Sequence, residues 1–302
     1  MKIPRALILL AALTAAVAPS RLASDAVIAA AQQAPLDDFA RYGRWNEPYA
    51  PFTVMANVHY VGTQGVSAWL ITSPKGHIMI DGILAQSVLQ IAANIKTLGF
   101  NIGDVKFLLN SHAHIDHAGG LAGLQRLSGA RMVASAADKP FLEAGETGHG
   151  PTKGMKFPPV RVDRVIRDGE EVKLGGTVLT AMITPAHSPG CTSWRMVVPG
   201  PEAKPLSVFF HCSANLGGQT LAPEAYPGMV AAFRQTFARV GQVKADIFLA
   251  NHDNFFGLAA KRARQQRGDA RAFVDPCELT RLNSEMQKIF EAELTRQQRV
   301  VR

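Results

Sequence analysis

The stretch His112-Ala113-His114-Ile115-Asp116-His117 decides how this chain folds and which chemistry it carries. It places three imidazoles and one carboxylate within six residues, directly after an apolar run, 105–109, that predicts a buried strand. Neutral histidine and carboxylate suit zinc, and a catalytic zinc usually takes three protein ligands and keeps one position open for water. The loop has one ligand too many for a single site of this kind and therefore indicates two.

The spacing within the loop predicts how its ligands divide between two sites. Residues at alternate positions of an extended segment project to the same side, so His112 and His114 can hold one metal while Asp116 and His117 turn toward a neighbouring one. Each half-site then lacks one ligand.

Two later histidines, His187 and His252, follow predicted strands just as the cluster does. A single loop histidine is more often merely exposed, but together with the cluster these two supply one ligand to each half-site. His59 and His77 fall inside predicted strands instead, and we expect them to be structural.

Strands and helices alternate outward from this loop in two similar halves. The predicted strands cover residues 52–55, 58–61, 66–72, 77–80, 105–109, 132–134, 164–166, 172–174, 178–183, 194–198, 207–210 and 247–250. Apolar residues at helical spacing predict helices near residues 88–98, 121–127, 230–240 and 282–290. The predicted fold class is α/β, a four-layer αβ/βα sandwich in which two mixed β-sheets pack face to face with helices outside. Its chemistry would lie on loops at one edge of the sheets.

The amino-terminal segment is typical of a secretory signal peptide. Lys2 and Arg5 precede a mostly apolar run over residues 6–18, which is short for a bilayer-spanning helix. We predict a signal peptide over residues 1–24, with an uncertain cleavage site, and a single domain over residues 25–302; an uncleaved membrane anchor is the alternative. The mature protein is then expected to be secreted, periplasmic in an organism with two membranes, and without stable membrane insertion after cleavage.

The charge and cysteine content exclude some other classes. The net charge is +8, but the basic cluster over residues 261–271 has no interleaved aromatic residues. We interpret it as a solvated helix face and expect no nucleic-acid partner. Cys191, Cys212 and Cys277 permit at most one intramolecular disulfide and lack metal-site spacing, and the sequence leaves open whether any two of them are joined.

Taken in order, these motifs resemble the metallo-β-lactamase fold superfamily over nearly all of the mature chain. The resemblance lies in the His-x-His-x-Asp-His loop, the Pro-Ala-His-Ser-Pro-Gly-Cys-Thr segment at 185–192, and the late Asn251-His252 pair. The stretches 62–69 and 116–122 also look like the third subclass of metallo-β-lactamases. The resemblance implies two Zn²⁺ ions, the first bound by His112, His114 and His187 and the second by Asp116, His117 and His252.

The activity that the resemblance implies is zinc-dependent hydrolysis of the amide bond of β-lactam antibiotics, which would confer resistance. Hydroxide held by zinc would be the nucleophile, and Asp116 is the expected catalytic residue, because together with the second zinc it would orient the hydroxide and stabilise the leaving nitrogen until it is protonated. Ser213 and Asn215 look like the subclass positions that contact the substrate carboxylate. The expected partner is a small-molecule β-lactam, and the oligomeric state is not predicted.

Other metallohydrolases share such a site, so a lactonase or a glyoxalase II-like thioesterase is the alternative. Thioesterases of that type carry an additional aspartate that bridges both metals. Between His187 and His252 the only aspartate is Asp246, at the start of a predicted strand, and His211-Cys212-Ser213 stands at the expected strand end. The absence of this aspartate favours the β-lactamase, and the full ligand set disfavours a non-catalytic zinc-binding scaffold.

Several neighbouring residues have predicted supporting roles. Asp81, after a predicted strand, is the candidate for fixing an imidazole. His211 is interpreted as structural and Cys212 as a buried thiol, with metal contact as the alternative for Cys212. The glycine-rich loop 145–159 should flank the cleft together with the turn at 63–65, with His149 exposed. Aromatic residues before and within the first strand could wall the cleft or join the core: Trp45, Tyr49 and Phe52.

Overall fold

The computed structural model describes residues 43–201 and 204–300, so the predicted signal peptide lies outside the described residues. The strands in these ranges are β1 (Phe52–Met55), β2 (Val58–Tyr60), β3 (Trp69–Ser73), β4 (Gly76–Ile80), β5 (Val105–Leu109), β6 (Arg131–Ser135), β7 (Arg164–Ile166), β8 (Glu171–Leu174), β9 (Thr177–Ile183), β10 (Thr192–Pro199), β11 (Pro205–His211) and β12 (Ile247–Ala250). The α-helices are α1 (Val88–Thr97), α2 (Ile115–Ala118), α3 (Leu121–Ser128), α4 (Lys139–Ala144), α5 (Met229–Val240), α6 (Leu258–Gln266) and α7 (Glu278–Val300).

The strands form two mixed sheets, as predicted. The first has seven strands in the order β1 to β7, antiparallel from β1 to β4 and parallel from β4 to β7. The second has five strands in the order β12-β11-β10-β9-β8, antiparallel except for the parallel pair β11 and β12.

The two sheets pack face to face, which confirms the predicted sandwich. Trp69 of β3 contacts Phe210 of β11 across the interface, with ring centroids 5.9 Å apart. Helices α1 and α3 cover the other face of the first sheet, and Ile91 is fully buried there. Because it has apolar layers on both faces, β4 is buried at four of its five positions. Helices α5 and α7 pack beside the second sheet, where the rings of Phe233 and Phe290 stack 4.9 Å apart.

Strand direction gathers the chemistry-bearing segments at one edge. β4 and β5 run parallel in the first sheet, and β9, β11 and β12 share one direction in the second. The segments that follow these strands therefore emerge together. Two local details differ from the sequence prediction: Asp116 and His117 lie in the short helix α2 rather than in a loop, and α4 was not predicted.

The basic cluster near the end of the chain is only partly solvated. Lys261 is 8% exposed and forms an ion pair with Glu278, and the guanidinium of Arg262 lies 4.4 Å from the ring centroid of Phe52. The interpretation as a solvated helix face is wrong for these two residues, because their side chains complete the packing around α6. Among the described residues, no helix is both long and apolar enough to cross a membrane.

Candidate metal centre

Six residues converge at the shared edge of the sheets in two groups of three. Within each group the potential ligand atoms all lie within 4.8 Å of one another. The first triad is His112, His114 and His187, and the second triad is Asp116, His117 and His252. The structure therefore brings together the residues that the sequence singled out, in the same two sets, while their role as metal ligands stays a prediction.

The first triad joins two segments that come from different sheets. His112 and His114 follow β5, and His187 lies in the turn after β9. The Nε2 atom of His187 lies 3.1 Å from Nδ1 of His114. On its far side the Nδ1 atom of His187 lies 3.0 Å from the backbone oxygen of Asn215, so donation to that oxygen leaves Nε2 as the inward-facing lone pair.

Burial keeps the first triad neutral. Desolvation and the neighbouring imidazoles hold the pKa values of His112 and His114 well below the usual range, and burial lowers the pKa of His187 to about 4. At pH 7 each ring then carries a free nitrogen lone pair. That is the form in which histidine binds a metal ion.

The second triad is organised around a carboxylate. The Oδ2 atom of Asp116 lies 3.2 Å from Nε2 of His117 and 3.3 Å from Nε2 of His252. Burial alone would raise the pKa of Asp116, but the two imidazoles hold that pKa well below its usual value. Although burial opposes it, Asp116 in turn raises the pKa of His117. The Nδ1 atom of His252 lies 3.0 Å from the backbone oxygen of Gly65, which fixes the ring with Nε2 inward.

The donor set fits zinc. Within the first triad, two buried imidazole nitrogens have no hydrogen-bond partner: Nε2 of His112 and Nε2 of His114. Buried polar atoms are ordinarily paired, because an unpaired one costs about 1–3 kcal/mol. Imidazole and carboxylate are borderline ligands of the kind that zinc prefers, and each triad supplies the three protein ligands usual in a catalytic site.

Asp81 supports this loop from the end of β4. Its Oδ1 atom accepts a hydrogen bond from the backbone N–H of Ser111 at 2.7 Å, and its Oδ2 atom lies 3.7 Å from Nδ1 of His117. Burial raises the pKa of Asp81 to about 6, although His117 and Ser111 oppose this shift. The contact with His117 is the one expected of a carboxylate that fixes an imidazole.

A cleft of about 400 Å³ opens over both triads. Gly65 lines it on one side, and Pro151 and Thr152 of the predicted flanking loop line it on another. Trp45 is also in the lining and packs on His252 with ring centroids 5.2 Å apart, whereas Tyr49 and Phe52 belong to the core. Of the predicted aromatic wall, only Trp45 reaches the cleft.

Sequence reasoning missed two charged residues of this cleft, Arg44 and Asp253. Arg44 is the only lysine or arginine among the described residues that lines the cleft, and Gln64 accepts its hydrogen bond at 2.9 Å. Its position just before Trp45 is the only sequence signal that could have indicated it.

The predicted carboxylate-binding residues occupy different environments. Asn215 lines the cleft, with its backbone oxygen against His187. Ser213 is 3% exposed, accepts a hydrogen bond from the backbone N–H of Asn215 at 3.3 Å, and does not line the cleft. Contact with a substrate carboxylate stays a prediction for both.

A disulfide between Cys191 and Cys212 lies behind the first triad, with Cα atoms 5.8 Å apart. Cys212 is therefore a disulfide sulfur, and the predicted free thiol is wrong, although its Sγ lies 3.6 Å from Nδ1 of His112. His211 is buried beside it, 3.3 Å from the Ser193 hydroxyl, in a structural position. Cys277 is free and exposed.

His149 is less exposed than expected. Its ring packs between Phe141 and Tyr226, with centroids 5.0 and 5.3 Å away. It therefore anchors the flanking loop 145–159 to the body of the domain.

An αβ/βα sandwich with two ligand triads at its loop edge defines a metal-dependent hydrolase. Residues 61–198 match the metallo-beta-lactamase superfamily. The structure of BJP-1, a subclass B3 metallo-β-lactamase of Bradyrhizobium japonicum, is 38% identical with a TM-score of 0.82, covering 86% of this chain and 99% of that one. This chain belongs to the metallo-β-lactamase superfamily of hydrolases, and subclass B3 enzymes are among its structural relatives.

Two further relatives indicate the range of this similarity. A metallo-β-lactamase of Cronobacter sakazakii described by its HARLDQ motif is 40% identical, with a TM-score of 0.79 over 84% of this chain and 97% of that one. The N-acyl homoserine lactonase AttM of Agrobacterium fabrum is 26% identical over 62% of this chain and 78% of its own length. Hydrolase activity is thus supported by all of these relatives, whereas their substrates differ.

Proposed function

We propose that this protein is a secreted, periplasmic β-lactamase that uses two zinc ions to hydrolyse the amide bond of β-lactam antibiotics and so confers resistance. The similarity to subclass B3 enzymes over more than four-fifths of the chain supports the β-lactam substrate. The two triads support two metal sites.

The observation that carries the proposal is that the sequence between His187 and His252 offers no aspartate placed to link the two triads. Asp246, the only aspartate between His187 and His252, is bound to Ser207, whose backbone N–H donates to it at 2.8 Å. Ser207 lies near the start of β11, at the opposite end from His211. A bridging aspartate of the thioesterase type is therefore absent, which favours the β-lactamase.

When bound, a pair of zinc ions supplies Lewis acidity and activates water near neutral pH. The chain contributes the orientation of the reactants. The ionised carboxylate of Asp116 accepts a hydrogen bond from the attacking water and so orients it toward the amide carbonyl, while the departing nitrogen takes up a proton from solvent. Trp45 and Phe255 flank His252, with ring centroids 5.2 and 5.9 Å away, and form one apolar wall of the cleft.

Turnover of three substrates by the purified mature protein tests the proposal. We expect hydrolysis of a chromogenic cephalosporin that stops with a chelator and returns with zinc, and much slower hydrolysis of an N-acyl homoserine lactone and an acyl thioester. Lactone or thioester turnover without cephalosporin turnover would refute the substrate assignment.

A pair of histidine variants separates the centre from general effects of losing an imidazole. His112→Gln should abolish turnover and reduce bound zinc. His59→Gln removes a ring that is also buried and that contacts the Thr53 and Thr72 hydroxyls away from the cleft, and this variant should retain both turnover and zinc. Equal losses in the two variants would contradict the assignment of the first triad.

A further inference from the structure

Asp138 is a buried carboxylate at a helix N-cap that does not cap its helix. It stands at the N-cap of α4, where an aspartate ordinarily accepts a hydrogen bond from an amide of its own helix. Its side chain makes no such bond and is only 3% exposed. A local rule broken in this way often marks a side chain that serves another part of the structure.

The carboxyl group of Asp138 lies instead between two segments of the metal centre. The backbone amide of Ala113 lies close enough to it to lower its pKa. The carboxyl group also lies against Gly190, where a Cβ atom would come within 2.0 Å of its Oδ1 atom and within 2.6 Å of the Ser135 hydroxyl. Glycine at 190 is therefore required for this approach, because any side chain would displace the carboxyl group.

These two contacts connect the parts of the first triad. Ala113 lies between His112 and His114, and Gly190 belongs to the turn that carries His187. We propose that Asp138 is a positioning residue that sets the distance between these two segments, and so tunes the affinity of the first triad for its metal. The inference rests on metal binding by that triad, and not on which substrate is hydrolysed.

Asparagine is the conservative replacement for this role. Burial raises the pKa of Asp138 to about 8, although the Ala113 amide opposes the shift, so a neutral group of the same shape is a close substitute at pH 7. The side-chain oxygen of asparagine can face the Ala113 amide as the carboxyl group does, whereas alanine removes the polar group from that position.

A matched control is available at the other end of β6. Asp163 accepts hydrogen bonds from the backbone N–H of Met132 at 2.9 Å and from Gln125 at 3.0 Å, and it contacts neither triad. Asp163→Ala should therefore lower the melting temperature without changing metal affinity.

The experiment is a chelator competition on the Co²⁺-loaded full mature chain, with the cobalt absorption spectrum recorded for each variant. Asp138→Ala is expected to weaken binding at the first triad about 10–100-fold and to alter the spectrum, while Asp138→Asn stays within about threefold of wild type. Gly190→Ala displaces the carboxyl group without removing it, and should weaken binding in the same way if Asp138→Ala does not fold.

Wild-type affinity and spectrum in both Asp138→Ala and Gly190→Ala would overturn the inference, and so would an equal loss in Asp163→Ala. Cobalt binding without cephalosporin turnover by the zinc-loaded wild type would refute the proposed function alone. A wild-type chain that binds neither metal would overturn both.

Discussion

The two triads lie in one cleft but differ in charge and in the interactions that set their protonation states. The first consists of three imidazoles kept neutral by burial, so any cation there keeps its full charge. The second contains the ionised Asp116, which also raises the pKa of His117. The comparison indicates a division of labour, in which the first triad leaves a strong Lewis acid to polarise a carbonyl and the second provides a base-like group beside the reacting water.

The largest expected effect comes from removing the carboxylate that distinguishes the second triad. Asp116→Ala should lower kcat by at least about 10²–10³-fold, because the group that orients the attacking water and contacts both His117 and His252 is lost. Turnover and bound zinc measured on the same sample should show one zinc retained by the first triad. Turnover near the wild-type rate would remove the proposed asymmetry.

A smaller effect is expected from the support behind the second triad. Asp81→Ala removes the group that accepts the Ser111 amide and faces His117, and should weaken the second metal by about 10–100-fold. Stepwise chelator titration followed by metal analysis measures this loss. If the first metal were lost preferentially, Asp81 would serve the other triad.

The smallest expected effect concerns the cost of burying a neutral imidazole, which is what keeps the first triad unprotonated. His211 is buried nearby but is outside both triads, and burial lowers its pKa to about 4. In the unfolded chain His211 has an ordinary pKa near 6.5, so between that pH and pH 4 the unfolded chain is protonated there while the folded protein is not. The folded protein is therefore destabilised progressively as the pH falls from about 6.5 toward 4.

For the metal-free protein this contribution is about 2 kcal/mol between pH 7 and pH 5. The free energy of unfolding should fall between pH 7 and pH 5 in both proteins, and the fall should be smaller in His211→Gln than in the wild type by that amount. Urea denaturation at both pH values measures the difference. Parallel pH dependence in the two proteins would show that burial costs this imidazole little.

The sequence was sufficient for the grouping of the ligands. His112 and His114 extend directly from β5 while Asp116 and His117 begin a helix, so position in the loop separates the two sets. The assignment of His187 to the first set and of His252 to the second came from the resemblance to metallo-β-lactamases. The division within the loop depends on local pattern, which a sequence carries.

Side-chain partners distant in sequence were beyond such reasoning. Asp138 gave no signal, because its function depends on Ala113, which reaches it only through parallel pairing of β5 with β6. The burial of Lys261 depends on Glu278 in another helix, so the charge pattern alone indicated solvent. The inward turn of Ser213 likewise follows from backbone geometry that composition does not encode.

Each triad takes its residues from segments of both sheets, and this has a consequence for the stability of the folded protein. His187 comes from the second sheet to meet residues that follow β5, and His252 does the same. An ion in either triad would be a noncovalent tie between the two halves, and its free concentration would enter the folding equilibrium directly. A low zinc concentration would then shorten the lifetime of the folded chain as well as abolish its activity. The supply of zinc would therefore limit how much folded protein is present.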